Sequence, residues 1–292
     1  MKIQGIISYP ITPFHQNGDG IDFDTFEQTL EALIKYKSAA IAPLGSTGES
    51  AYLTWDEWVS VAKKSIEVVN HRIPVIIGIS ELTTDMAVKK VRMAEELGAD
   101  AVMVLPISYW KLSDQEIYTY YQDIAAAVSL PIMVYNNPAT SGVDMSPELL
   151  VKLFENIENI KMVKESSGDI QRMHRIHELS DKKLPFYNGC NPLALEAFCA
   201  GASGWCTAAP NILRERPNEL YKLIKNNNLE AARDEFYAQL PILRFIVKNG
   251  LPKTIKAGLN YLGFSVGIPR NPVKDLNSSE LTKFKELIQQ LN

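Results

Sequence analysis

Lysine seldom ends an apolar run, yet one does so in the segment Ile160-Lys161-Met162-Val163-Lys164-Glu165-Ser166-Ser167-Gly168-Asp169. The segment reads as a short buried strand that ends on Lys164, then a turn of small residues, then a helix. With the two-residue period of a strand, Ile160, Met162 and Lys164 share one face. Lysine is rare on an apolar face unless it is paired or used. Burial disfavours the ammonium form of an amine, and a neutral amine is what forms a Schiff base with a carbonyl. The plainer alternative is that Lys164 pairs with Glu165 or reaches out to water.

Other chemistry-bearing residues also stand at the ends of apolar runs. They are Thr12, the loop Gly45-Ser46-Thr47-Gly48-Glu49, Tyr109, Tyr135, Gly189 and Thr207. A loop with Ser46 and Thr47 between glycines lets backbone N–H groups and hydroxyls converge on a carboxylate. The same four residues also make an ordinary strand-to-helix turn. They are not a phosphate loop, because no Gly-Lys-Ser/Thr follows. If the strands ending on Tyr135 and Lys164 are neighbours, ~4.8 Å apart, phenol and amine reach one substrate. The tyrosine then relays a proton as the imine forms and as a C–C bond breaks. Alone, Tyr135 is equally a rim tyrosine with a satisfied hydroxyl. Lysine, tyrosine and carboxylate cradle together form a constellation.

Elements that would position these residues alternate almost from end to end. Strand-like runs cover Gly5–Tyr9, Ala39–Leu44, Pro74–Ile79, Ala101–Leu105, Pro131–Tyr135, Ile160–Lys164, Phe186–Asn188 and Gly204–Cys206. Most are continuously apolar, as parallel strands buried on both faces are. Helix starts stand between them: capping boxes at Thr54 to Glu57 and Ser113 to Glu116, and Ser146-Pro147 with proline at the first helical position. Eight strand–helix repeats predict an α/β fold, a (β/α)8 TIM barrel with its site at the C-terminal strand ends. The rival, an open doubly wound sheet, wants a glycine-rich nucleotide turn after its first strand; here that turn is Pro10-Ile11-Thr12-Pro13. After the eighth strand only helical patterns follow, over about 217–226, 229–247, 251–262 and 279–291. The expected division is a barrel domain over 1–215 and a C-terminal all-helical appendage over 216–292.

Composition narrows the function. The 292 residues are 46% hydrophobic and 22% charged with a net charge of −4. No basic stripe occurs, which disfavours nucleic acid and anionic membranes as partners. No run of 18 apolar residues and no signal core occur. Three cysteines, Cys190, Cys199 and Cys206, lack framework or zinc spacing and suit a reducing compartment; the expected location is the cytoplasm. Cys206 either lines the mouth or is a small core residue. His174 and His177 share a helix face without carboxylate or cysteine partners at metal spacing and read as solvated. No metal site, dinucleotide fingerprint or Ser-His-Asp signature is found, so no cofactor is expected.

Taken together, these motifs resemble the dihydrodipicolinate synthase/N-acetylneuraminate lyase family of class I, pyruvate-type aldolases. The resemblance runs through Gly5…Thr12-Pro13-Phe14, Gly45-Ser46-Thr47-Gly48-Glu49, Tyr135-Asn136-Asn137-Pro138-Ala139-Thr140-Ser141-Gly142, Val163-Lys164-Glu165-Ser166-Ser167-Gly168-Asp169, Asn188-Gly189 and Leu251-Pro252-Lys253…Ala257. It implies that Lys164 is the Schiff-base lysine, Tyr135 the proton relay, and Ser46 and Thr47, with Gly48, the binders of a 2-oxo acid carboxylate. It also implies a homotetramer, with a dimer as the alternative. Tyr109, in a loop one residue longer than in relatives, would supply a second relay tyrosine across a subunit interface.

Departures from the pattern bear on the substrate. Synthases of the family place an arginine at the position of Thr140, and a bidentate guanidinium is not replaced by a hydroxyl. Ser46 is similar to the lyase side. Trp55 and Trp58 stand where lysine-inhibited synthases carry histidines. Sialic acid lyases follow the glycine of strand seven with Asp-Glu, whereas Cys190-Asn191-Pro192 follows Gly189 here. The reading is a Schiff-base lyase, aldolase or dehydratase, acting on a 2-oxo-3-deoxy or related 2-oxo acid, with pyruvate as one half. Thr140, Gly189, Cys190 and Thr207 would line the pocket for an aldehyde or sugar-acid partner. Unless another basic group substitutes, for instance an arginine such as Arg172 or Arg214, a neutral partner is expected to react better than aspartate semialdehyde. The alternatives are dihydrodipicolinate synthase activity and, from another class, a non-catalytic barrel that binds a small acid.

Overall fold

The computed structural model describes residues 3–16 and 20–291. Eight parallel strands form one sheet: β1 (Gly5–Ser8), β2 (Ala40–Ile41), β3 (Ile76–Glu81), β4 (Ala101–Pro106), β5 (Ile132–Asn136), β6 (Ile160–Glu165), β7 (Phe186–Asn188) and β8 (Gly204–Thr207). Their order is β2-β1-β8-β7-β6-β5-β4-β3, and the bridge Ile41↔Val75 joins the two ends. The expected TIM barrel is therefore present. Nearly every strand residue is buried, because the lumen and the helical ring cover both faces.

The β2–β3 seam is where the barrel departs from the expected pattern. The apolar run Ala39–Leu44 yields only two paired residues. Pro43 has no N–H to donate, and Leu44 takes a left-handed φ of 61° that leaves the strand. The seam closes instead by the Gly78 N–H donating to the Pro43 carbonyl at 3.0 Å. A Cβ on Gly78 would lie 2.3 Å from the Leu44 carbonyl oxygen, so only glycine permits this approach.

Helices ring the barrel: α1 (Phe23–Lys35), α2 (Trp55–Val69), α3 (Thr84–Glu96), α4 (Asp114–Ala126), the one-turn α5 (Pro138–Ser141), α6 (Pro147–Asn156), α7 (Ile170–Leu179), α8 (Ala194–Cys199) and the one-turn α9 (Pro210–Leu213). Thr54 and Ser113 form capping boxes with Glu57 and Glu116, and Ser146 caps α6 ahead of Pro147. After β8 come α10 (Arg216–Lys225), α11 (Leu229–Asn249), α12 (Leu251–Tyr261) and α13 (Ser278–Leu291). The α11–α12 corner turns at Gly250, with φ 97°, and carries the start of α12 over the barrel mouth. Among the described residues no helix is long and apolar enough to cross a membrane.

Candidate active site

Pairing of β5 with β6 sets Tyr135 directly beside Lys164. The Lys164 side chain is 6% exposed. Its Nζ lies 3.7 Å from the centre of the Tyr135 ring and 4.2 Å from that of Tyr9. Glu165, on the opposite face of β6, does not pair with it. Its carboxylate accepts from Asn136 Nδ2 at 3.0 Å and the Ser167 N–H at 2.6 Å, with Arg172 Nε at 3.6 Å. The pairing and solvent readings of Lys164 both give way to an amine enclosed by aromatic rings. The Tyr135 hydroxyl accepts from Asn137 Nδ2 at 2.7 Å, which leaves its own proton free to be donated.

Tyr9 was not among the residues expected at the site. It follows β1, and its hydroxyl donates to Met103 Sδ at 2.9 Å. Burial, then the nearby Cys206, pushes this phenol well above the ordinary tyrosine range, so it stays protonated. Its place at the C-terminal end of a strand, in the layer of Lys164, was the available signal.

The loop after β2 has left-handed, non-glycine residues at both ends, Leu44 (φ 61°) and Glu49 (φ 56°). Such conformations persist only where surroundings impose them. Inside the loop the Gly48 N–H donates to the Gly45 carbonyl at 3.0 Å and the Glu49 N–H to that of Ser46 at 3.3 Å. Thr12 Oγ1 donates to the Gly48 carbonyl at 2.7 Å. Gly48 is thus spent on the turn and lies outside the cavity lining, a correction to its expected place in the cradle. Ser46 and Thr47 do line the cavity. Among the described residues their N–H groups make no hydrogen bond, so both remain available to a ligand.

The loop is pinned from the C-terminal helices. Glu49, fully buried, lies 2.5 Å from Lys256 Nζ of α12 and accepts the Arg270 N–H at 2.8 Å. Burial pushes the Lys256 amine down to about 8 against the opposing pull of Glu49. Arg270 also makes a two-pronged pair with Glu57 on α2. This anchoring was not anticipated from sequence, since it joins residues some two hundred positions apart.

These groups surround a cavity of about 620 Å³. Ser46, Thr47, Tyr135, Thr140 and Lys164 line it, as do Gly189, Cys190 and Thr207. Gly189 also makes room for the amine: a Cβ there would sit 2.9 Å from Lys164 Cε and 1.7 Å from Ser166 Oγ. Thr207 Oγ1 donates to Asn191 Oδ1 at 2.8 Å. Cys206, buried, lines the cavity too, and burial raises its thiol above the usual range. Tyr109 does not join the group within one chain. It is 89% exposed and packs edge-on against Trp110, because the loop after β4 runs outward.

Neither Arg172 nor Arg214 reaches the cavity lining. Arg172 is engaged with Asp144 at 2.9 Å and with the Met145 carbonyl. The basic side chain that does line it, besides Lys164, is Lys253 of α12. His174 is exposed as expected, whereas His177 is half-buried against the edge of Phe186. Among the described residues no three His, Cys, Asp or Glu side chains gather as metal ligands.

Comparison with known proteins identifies relatives over the whole chain. The model of the dihydrodipicolinate synthetase family matches residues 2–291. A 4-hydroxy-tetrahydrodipicolinate synthase of Clostridium perfringens is 32% identical over 282 residues, 94% of each chain. One from Archaeoglobus fulgidus is 30% identical over 99% of this chain and 98% of its own. A solved structure from Pseudomonas aeruginosa, described as a candidate dihydrodipicolinate synthetase, is 50% identical over the whole of both chains, with a TM-score of 0.98. The 4-hydroxy-tetrahydrodipicolinate synthase of Methylacidiphilum fumariolicum is 29% identical, with a TM-score of 0.96 over 99% and 96% of the two chains. The chain belongs to the dihydrodipicolinate synthetase family, and is a lyase of the Schiff-base, class I aldolase kind.

Proposed function

We propose that Lys164 forms an imine with the ketone of a 2-oxo acid, pyruvate in the simplest case, and that the imine drives carbon–carbon bond formation or cleavage. The observation that carries this reading is a buried amine, without a carboxylate partner among the described residues, between Tyr135 and Tyr9 at a cavity bordered by the Ser46–Thr47 loop. The amine adds to the ketone carbon and the carbinolamine loses water. The imine then accepts the electron pair released when a C3 proton leaves or a C3–C4 bond breaks. Tyr135 carries the proton between the substrate oxygen and the nitrogen as these steps proceed. The N–H groups and hydroxyls of Ser46 and Thr47 hold the substrate carboxylate. Thr140, Gly189, Cys190 and Thr207 face the second reactant, an aldehyde or the rest of a 2-oxo-3-deoxy acid.

Within this class we favour a 2-oxo acid lyase over the synthase reaction because Thr140 brings no charge to the cavity. The synthase activity given in the relatives' names is the second reading, and Lys253 is the observation that favours it. We further propose a cytoplasmic homotetramer, in which Tyr109 and Trp110, 89% and 77% exposed, face a neighbouring subunit. Residues 216–292 would form the helical domain that completes the site. Borohydride reduction with pyruvate, followed by mass spectrometry, is the test. The wild type should gain one covalent adduct and Lys164→Ala none, while Tyr135→Phe should bind pyruvate but turn over orders of magnitude more slowly. Full turnover by Lys164→Ala would refute the role of Lys164, and no adduct in the wild type would refute the imine and favour a small-acid-binding barrel.

A further inference from the structure

We propose that Lys253 receives a second carboxylate, at the end of the substrate remote from the imine; the inference rests on the Schiff-base reading above. Space comes first. Pyruvate has six heavy atoms and occupies at most about 180 Å³, at the ~30 Å³ of a water molecule in the liquid. The cavity of about 620 Å³ therefore holds a second reactant beside it. Thr140 and Asn191 line this cavity from the barrel, and Val247, Asn249 and Lys253 line it from the α11–α12 corner.

Charge comes next. Three charged side chains line the cavity: Lys164, Glu49 and Lys253. Lys164 is consumed by the imine. Glu49 is held by Lys256 and the Arg270 N–H, so it does not neutralise Lys253. No ion pair engages Lys253 among the described residues. This lysine also stands in the first turn of α12, which contains no acidic residue. A cation there opposes the helix dipole and carries a local cost in stability. A half-buried cation that no ion pair engages among the described residues, in an unfavourable helix position and lining the same cavity as Lys164, fits an anionic ligand group. One ammonium without an arginine matches a single carboxylate better than a doubly charged phosphate. Being a flexible point charge, it would also tolerate acids of differing chain length.

The test uses two five-carbon acids that form the same imine but differ at the far end: 2-oxoglutarate, with a second carboxylate, and 2-oxopentanoate, without one. Borohydride trapping is measured against concentration for each acid and for pyruvate. Wild type should reach half-maximal trapping at an at least tenfold lower concentration of 2-oxoglutarate than of 2-oxopentanoate. Lys253→Met and Lys253→Gln should bring that ratio to within threefold of one and shift pyruvate trapping far less than 2-oxoglutarate trapping, and Lys253→Arg should retain the preference. Equal trapping of the two acids by wild type, or a preference that survives in the Met and Gln variants, overturns the assignment of Lys253. Absence of any pyruvate adduct in wild type overturns the Schiff-base reading itself, so the two failures are told apart.

Discussion

Replacing Gly189 by alanine tests how tightly the Lys164 amine is held. The new Cβ would lie 1.7 Å from Ser166 Oγ, 2.9 Å from Ser166 Cβ and 2.9 Å from Lys164 Cε. The hydroxyl has no hydrogen-bond partner among the described residues and can rotate away. The two carbon contacts cannot be relieved that way. Carbon atoms rest at ~3.5–4.0 Å, so Lys164 Cε must retreat by at least about 0.6 Å. Overpacking of this kind costs about 1–3 kcal/mol in stability. A displacement of ~1 Å at a reacting group can cost a hundredfold in rate, so 0.6 Å should cost roughly tenfold or more. The assay is the rate of pyruvate adduct formation, with thermal unfolding measured alongside. Gly189→Ala with Ser166→Gly should recover stability, because the serine clash is gone. The rate should stay low, because the contact with Lys164 remains. If Gly189→Ala alone forms the adduct at the wild-type rate with unchanged stability, the reasoning about this contact is refuted.

Other consequences can be measured directly. Lys256→Met would leave the buried Glu49 carboxylate without its cation, at a cost of about 3–5 kcal/mol in denaturant unfolding; adding Glu49→Gln should restore part of it, and full stability in the single variant would contradict the pairing. The Arg270 guanidinium, more than any other cause, lowers the Glu57 carboxyl from 4.5 to about 2. This contribution is therefore complete above pH ~4.5 and fades as pH falls towards 2. Glu57→Gln should lower stability by about 1–2 kcal/mol at neutral pH, and the gap between variant and wild type should close between pH 4.5 and 2. Sedimentation at micromolar concentration should give a mass near two or four chains; an active monomer would remove any role for Tyr109 across an interface.

Much of the fold was legible because parallel strands buried on both faces have no polar positions, so runs such as Ala101–Leu105 announce themselves. Helix starts were legible through Thr54, Ser113 and Ser146, whose side chains have one local task. The run Ala39–Leu44 misled, because apolarity does not reveal that Pro43 cannot pair and that Leu44 turns left-handed. The single turns Pro138–Ser141 and Pro210–Leu213 are too short to carry a period. At the site, Lys164, Tyr135 and the Ser46–Thr47 loop stood out because each ends a strand. Gly189 was expected to line the pocket and does so; that it also spares room for the Lys164 side chain could not be read from the sequence. Tyr9 was passed over as one more apolar residue at the end of a run. Lys253 and Lys256 could not be placed near the mouth by any local pattern, since only the fold of the last helices brings them there.

The ion pair between Glu49 and Lys256 has a consequence for the order of synthesis. Chains grow from the N-terminus at ~5–20 residues per second. The carboxylate at position 49 therefore waits roughly 10–40 seconds for its lysine. Until α12 leaves the ribosome, burying Glu49 would strand a charge in the interior, so the loop that carries Ser46 and Thr47 cannot settle. A nascent chain can already possess its eight strands and Lys164 yet lack the ion pair that pins the loop of Ser46 and Thr47. Chains that end between Thr207 and Lys256 carry all eight strands and Lys164 but lack the cation that Glu49 meets in the finished fold.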